Sequence, residues 1–431
     1  MKIQNVKGGY DFIPREQKIR NYINDTLRGV FEEYGYLPIE TPILCYFDIL
    51  TGKYDENNDI LNEIYKLTDQ GDRKLGLRYD LTVPFAKFIA LNKKEIKLPF
   101  KRYEINKVFR DGPVKVGRDR EFTQCDVDVV GLDGQGIEAE LLNLYVRGYS
   151  KLGIDIIIKY NSRKLMSGLI KEAGVEDKDI SSVITILDKI KKISREEIIN
   201  YLSEIGLSMG VIVLLLEYFT LSMEEINKKF KYSSNELVIE GINEINELEK
   251  YIIGMKIEKY CTFDSSLARG QDYYTGNVFE VYEANGLLTS SIGGGGRYDK
   301  MIGEFIDDGE VYPAVGVSFG LTSLYELLKN REEFSNDSLI DIYIIPINTN
   351  IESLILGEKL RDLGFKVDIE MTNKKIKKSL DYANKEKIPY VIIYGEDEVN
   401  NKVFKLKDMF NNKEIDVSFD KISDLKKVLG I

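Results

Sequence analysis

LPFKRYEINKVFRDGPVKVGRDREFTQCDVDVVG, Leu98 to Gly131, is the stretch from which the fold can be read. It reads as a strand, a turn-rich loop over Asp111 to Asp119 with Gly112, Pro113 and Gly117, and a returning strand. On the return, Phe122, Gln124, Asp126 and Asp128 point to one side, and Cys125, Val127 and Val129 to the other, because strand side chains alternate. Arg110, Lys115, Arg118 and Arg120 surround the base of the loop. Such a set suits an anion cradle, and equally a solvated basic hairpin tip.

Upstream, Ile19, Ile23, Leu27, Val30 and Phe31 recur at helical spacing, and Gly35 sits where that helix stops. GYLPIETPIL, Gly35 to Leu44, cannot be helical with prolines at 38 and 42, and fits an irregular or edge strand. KLGLRYDLTVP, Lys74 to Pro84, reads as a short strand ending in a turn, with Arg78, Asp80 and Thr82 sharing one face. That face serves as a solvated surface or as the floor of a polar pocket.

Downstream, Ile137 to Leu152 is helical, Ile154 to Lys159 is an apolar strand, and about 162 to 249 is a helical, charged insertion. DSSLARGQDYYTG, Asp264 to Gly276, then sets Arg269 beside Tyr273 and Tyr274. Arg269 paired with Asp264 or Asp272 would be unremarked surface chemistry; its planar fork of donors also suits a phosphate or carboxylate. SIGGGGRYDKMIG, Ser291 to Gly303, is neither a P-loop nor GxGxxG, and its glycines permit a sharp turn or close approach to a ligand. Pro313 to Leu328 runs from strand to helix through Gly320. Residues 331–338 read as a linker, and 339–431 alternate strands and helices as a mixed-sheet α/β module.

Composition narrows the chemistry. The chain has 431 residues, enough for two or three domains, with 43% hydrophobic and 30% charged residues. It has no histidine, which removes His-based triads, His metal ligands and His acid–base work together. Its three cysteines are far apart and form no CxxC pair, so no disulfide framework or zinc knuckle is expected. What remains is Arg, Lys, Asp, Glu and Tyr, an inventory suited to electrostatic stabilisation of a charged transition state. A net charge of −11 argues against indiscriminate coating of nucleic acid, although 341–431 is locally neutral, with 16 Lys and Arg against 16 Asp and Glu. No secretory signal or membrane-length apolar run is visible, so a cytoplasmic location is the expectation.

Taken together, these stretches resemble the histidyl-tRNA synthetases, class II aminoacyl-tRNA synthetases, nearly end to end. KGGYDFIP and GYLPIETPIL resemble the start of the family and its dimer-forming motif 1, and LRYDLTVPFA its amino-acid-binding segment. VFRDG with RDREFTQCDVDVVG resembles motif 2, and SLARGQDYYTG with GGGGRYD the two signatures peculiar to the histidine enzymes. The resemblance implies an α+β fold. A catalytic domain built on an antiparallel sheet would span 1–330 with the helical insertion inside it, and an anticodon-binding domain would span 339–431. It implies ATP-dependent activation of L-histidine to histidyl-adenylate, transfer to tRNA(His), a homodimer, Mg2+ accompanying ATP, and no tightly bound protein metal.

By the same resemblance, Asp80, Thr82, Gln124 and Asp128 hold the histidine, Tyr273 and Tyr274 line the imidazole site, and Arg110 grips the α-phosphate and the carboxylate. Arg269 faces the α-phosphate and Arg120 joins the ATP site. Two positions depart from the family pattern. Motif 3 reads Gly320, Leu321, Thr322, Ser323, where an arginine commonly stands at 323, and Gln271 replaces a customary leucine. The competing reading is a non-catalytic paralogue, such as the regulatory subunit of ATP phosphoribosyltransferase or an uncharged-tRNA sensor. The regulatory subunit normally lacks the C-terminal domain and degrades the RGxDYYTG pattern, both of which this chain keeps.

Overall fold

The computed structural model describes residues 2–52, 60–115, 117–190, 193–269, 273–335 and 338–429; Gln271 and Asp272 lie outside them. The chain divides into two units, Met1–Leu327 and Leu328–Ile431.

The first unit is organised by two sheets. Its strands are β1 (Leu37–Pro38), β2 (Leu44–Tyr46), β3 (Lys66–Thr68), β4 (Lys74–Leu77), β5 (Phe100–Phe109), β6 (Glu121–Val130), β7 (Ile156–Ser162), β8 (Cys261–Phe263), β9 (Asn277–Glu283), β10 (Gly293–Arg297) and β11 (Ala314–Gly320). Eight of them form one sheet in the order β1-β5-β6-β11-β10-β9-β7-β8. It is antiparallel except at its edges, where β1 runs parallel to β5 and β8 to β7. β2, β4 and β3 make a small antiparallel sheet.

One face of the large sheet is apolar and packs on helices. Cys125, Phe319, Gly293 and Val281 lie in one cross-strand row. Phe319 meets Tyr145 and Tyr149 of helix Gln135–Lys151 at ring separations of 4.8 and 5.0 Å, and Phe31 of helix Pro14–Glu33 at 5.7 Å. The Pro14–Glu33 helix has Pro14 in its first turn, where the missing N–H costs nothing, and the Glu16 carboxylate accepts from the Ile13 N–H at 3.0 Å. Its Ile19, Ile23, Leu27, Val30 and Phe31 are all buried, each contributing roughly 1.5–3 kcal/mol. Between β7 and β8 the named elements are helical, from Arg163–Glu172 to Glu236–Gly254.

The segment Lys74–Pro84 departs from expectation. β4 ends at Leu77, and Thr82 opens a helix, Thr82–Leu91, so Arg78, Asp80 and Thr82 do not share a strand face. The reason is local: the Asp80 carboxylate accepts from the Val83 N–H at 3.0 Å, satisfying a free donor of the first helical turn. Nor is the segment solvated, since Arg78 and Asp80 are buried.

The second unit has β12 (Ile342–Pro346), β13 (Val367–Ile369), β14 (Tyr390–Tyr394), β15 (Val403–Asp408) and β16 (Lys413–Ser418), ordered β13-β12-β14-β15-β16. β12 is parallel to β13 and β14, while β15 is antiparallel to both its neighbours. Helices Asn350–Asp362 and Ile376–Lys385 supply the crossovers, and Ile342, Ile344, Leu356, Leu360, Ile392 and Phe404 form a separate core. Residues Glu332–Ser335 make a single helical turn.

Candidate active site

The sheet face opposite the helices is polar, and its register sets who meets whom. Arg102, Asp128, Gly316 and Gly296 form one cross-strand row; Glu104, Asp126, Ser318, Gly294 and Glu280 form the next. β5 and β6 therefore carry charge, while β10 and β11 offer glycine at the positions beside it.

Every carboxylate on this floor has a structural cause for its position. One oxygen of Asp128 lies 2.6 Å from Arg102 Nη2, and the other accepts from the Tyr298 hydroxyl. Across the strand, a Cβ on Gly316 would stand 1.9 Å from Asp128 Oδ1, so only glycine leaves room for that carboxylate. Glu104 pairs with Arg78 at 3.0 Å, both side chains essentially inaccessible, and also accepts from the Thr41 N–H at 3.0 Å. Arg78 donates further to the carbonyls of Lys107 and Thr41, which ties the Asp80 segment to β5. Between them lies Asp126, whose carboxyl is pushed up to about 7 by burial, against the pull of Arg102. Burial also raises Asp128, opposed by Arg102, and the Asp80 charge adds to the rise at both carboxyls.

Gln124 links floor to rim. Its amide nitrogen donates to Asp126 Oδ1 at 3.2 Å and to the Ser318 hydroxyl at 3.0 Å, so its oxygen faces Arg110 Nη2 at 3.4 Å. The Arg110 guanidinium lies between the Tyr79 and Phe122 rings, 4.2 and 4.9 Å from their centroids, and donates to the Tyr79 carbonyl. Stacking between two rings fixes its plane and leaves donor capacity for an anion.

On the far side, the Arg269 guanidinium lies over Gly294, where a Cβ would be 2.6 Å from Nη1. The Tyr274 ring covers Gly296 in the same way, with a Cβ there 2.8 Å from its Cδ1. Tyr273 packs on Tyr274 at 4.9 Å and on Tyr298 at 6.1 Å, returning the wall to Asp128. Arg269 pairs with Glu280 at 3.3 Å rather than with Asp264, which instead holds Lys159 at 3.3 Å.

The structure thus joins Asp80, Arg110, Gln124, Asp128, Arg269, Tyr273 and Tyr274 through one set of contacts and charges on one sheet face. Thr82 is half-buried at the start of its helix, two residues from Asp80. Arg120 sits at the hairpin base, bound to Asp111 at 3.2 Å and to the Gly112 carbonyl. Ser323 is buried beside the hairpin loop, and a Cβ on Gly117 would be 3.4 Å from its hydroxyl, so a longer side chain at 323 would compete with the loop. Sequence reading overlooked Glu280, Ser318 and Tyr298. Glu280 carried a signal, being a charge set between Phe279 and Val281 within a strand.

Comparison with known proteins assigns this architecture. A model of the histidyl-tRNA synthetase family matches residues 8–324, and an anticodon binding domain matches 341–427. The chain belongs to the histidyl-tRNA synthetase family. Histidine–tRNA ligase 2 of Shouchella clausii is 43% identical over 96% of this chain and 98% of its own length. Histidine–tRNA ligase 1 of Bacillus cereus is 43% identical over 98% of this chain and 97% of its own. The histidyl-tRNA synthetase of Nostoc sp. PCC 7120 superposes with a TM-score of 0.83 at 27% identity, covering 99% of this chain and 100% of that one. The hairpin β5–β6 holds the residues that resemble the histidyl-tRNA synthetase motif 2, and β10 draws the glycine run out as a central strand.

Proposed function

We propose that the polar sheet face joins L-histidine to ATP, forming histidyl-adenylate, and then passes the histidyl group to tRNA(His). One observation supports this most: two arginines, Arg110 and Arg269, border a floor of buried carboxylates walled by tyrosines. The carboxylates suit the substrate ammonium and the imidazole N–H, while the guanidiniums suit the phosphate and the substrate carboxylate.

In the first step a histidine carboxylate oxygen attacks the α-phosphorus, the bond to the bridging oxygen breaks, and pyrophosphate leaves with the Mg2+ that arrived on ATP. Arg110 and Arg269 stabilise charge on the α-phosphoryl oxygens, and Arg120 assists the nucleotide. Asp80, Thr82, Gln124 and Asp128 hold the amino acid, and Tyr273 and Tyr274 line the ring. In the second step a terminal ribose hydroxyl oxygen attacks the acyl carbon and the bond from that carbon to the phosphate oxygen breaks. AMP departs as the hydroxyl proton passes to its phosphate or to solvent. Nothing in either step asks the protein for a nucleophile; positioning and fixed charge carry it. Residues 1–330 would perform this chemistry and 339–431 would read the anticodon, within a cytoplasmic homodimer.

Histidine-dependent ATP–pyrophosphate exchange tests the reading. Arg110→Ala and Arg269→Ala should each lower exchange by about 10²-fold or more. Near-normal exchange in both variants would remove adenylation from this face, and no exchange by the parent protein would favour a non-catalytic paralogue.

A further inference from the structure

We propose that Glu280 is a positioning residue for adenylation, fixing the Arg269 guanidinium in a seat whose base is Gly294. This rests on the reading of Arg269 as the cation that faces the α-phosphate.

The geometry of the seat is specific. Glu280 on β9 stands directly across from Gly294 on β10. Gly294 supplies no side chain, and the guanidinium fills the space that one would take. Glu280 Oε1 accepts from Arg269 Nη1 at 3.3 Å, while Oε2 accepts from the Tyr282 hydroxyl at 2.6 Å. With each carboxylate oxygen engaged, Glu280 cannot rotate without losing a hydrogen bond. Lys159 lies 4.9 Å from the Tyr282 ring centroid and pairs with Asp264, at the start of the segment that carries Arg269. The Glu280 contact therefore ties the guanidinium to the sheet, while Arg269 Nε, buried, has no hydrogen-bond partner among the described residues.

An arginine side chain has many rotamers, and a cation contributes fully to a transition state only when its orientation is already set. The Glu280 carboxylate fixes one amino group and the Tyr274 hydroxyl also meets the guanidinium, leaving the donors not so engaged for a phosphoryl oxygen. Glu280 itself touches no substrate in this account. Its effect passes through Arg269 alone.

That restriction makes the idea testable by a double-mutant cycle in ATP–pyrophosphate exchange on the full chain. Glu280→Gln, which keeps one acceptor for Arg269, should lower kcat by about tenfold with KM for ATP and histidine little changed. Gly294→Ala approaches the same seat from the opposite side. The three atoms nearest its methyl all belong to the Arg269 guanidinium, so it should displace that group, lower kcat similarly and cost less stability than a clash with backbone would. In an Arg269→Ala background both substitutions should cost nothing further. Additive losses, an unchanged kcat in Glu280→Gln, or a rise in KM with kcat intact would each overturn the proposal. Near-parental exchange in Arg269→Ala would instead sink the reading of Arg269 on which it rests.

Discussion

Arg78 and Glu104 show how much of this site is structural. Both are buried, and the pair is surrounded by backbone donors and acceptors rather than water. Removing one partner of a buried, hydrogen-bonded pair leaves the other charge uncompensated, at a cost of about 3–5 kcal/mol. Glu104→Gln is therefore expected to lower the denaturant midpoint of the N-terminal unit markedly, more than it changes any substrate constant measured at low temperature. Asp126 differs because its folded-state carboxyl is raised by burial to about 7, above its unfolded value near 3.8. The folded protein then binds the extra proton, so this contribution is fully present below about pH 4 and is lost as pH rises through about 7. Asp126→Asn should stabilise the protein at pH 8 and make no difference near pH 4, as read from unfolding midpoints across that range. Chemical identity at this scale was legible: Gln124 and Asp128 announce themselves by alternation on one strand face. Asp80 was misplaced on a strand because its capping of the Thr82–Leu91 helix depends on a backbone turn that the alternating pattern conceals.

Among the elements, β10 is the one whose sequence says least about its shape. Consecutive glycines read as a sharp turn or as a place where backbone closely approaches a ligand, since glycine weakens a strand and carries nothing to pack. Here each face of the strand requires the absence of a side chain for a different reason. On one face Gly294 and Gly296 admit Arg269 and Tyr274; on the other, a Cβ on Gly295 would lie 2.1 Å from the Gly316 carbonyl. Gly295→Ala meets immovable backbone and should destabilise the sheet by about 1–3 kcal/mol or more, in contrast to its neighbour at 294. Gly316→Ala drives directly at Asp128 and should raise KM for histidine about tenfold, as steady-state exchange would show. The hairpin β5–β6 was readable because Gln124, Asp126 and Asp128 alternate with Cys125, Val127 and Val129 on its returning strand, after a loop rich in glycine and proline. The pairing of β11 between β6 and β10 was not, because strand order comes from contacts far apart in sequence.

At the scale of the molecule, two surfaces carry expectations. Lys374, Lys375, Lys377 and Lys378 are all exposed at the start of helix Ile376–Lys385, in the unit whose sequence matches an anticodon binding domain. Replacing Lys377 and Lys378 with glutamate should weaken tRNA(His) binding and flatten its dependence on salt, by about two counterions' worth of slope. An unaltered slope would place that helix outside the interface. Leu37, Leu44 and Tyr46 in the motif 1 region are each at least half exposed, an apolar display suited to a second copy of the chain. If the protein is the homodimer proposed above, Leu44→Glu should shift its sedimentation profile toward monomer; an unshifted profile would put the subunit contact elsewhere, and a monomeric parent would remove the dimer. The rhythm of strands and helices changes in the sequence after residue 338, while the two units divide at Leu328; the surface each unit presents to a partner depends on which side of a strand faces solvent.

The tyrosines, arginines and carboxylates around the site stand in a chain that contains no imidazole of its own. When histidine binds, the ligand ring is consequently the sole histidine-type ring in the protein–amino acid complex. Its tautomer and charge can be read from nitrogen and carbon chemical shifts without isotopic editing of the protein. For a histidine–tRNA ligase, the state of the ring it binds becomes a directly observable spectrum.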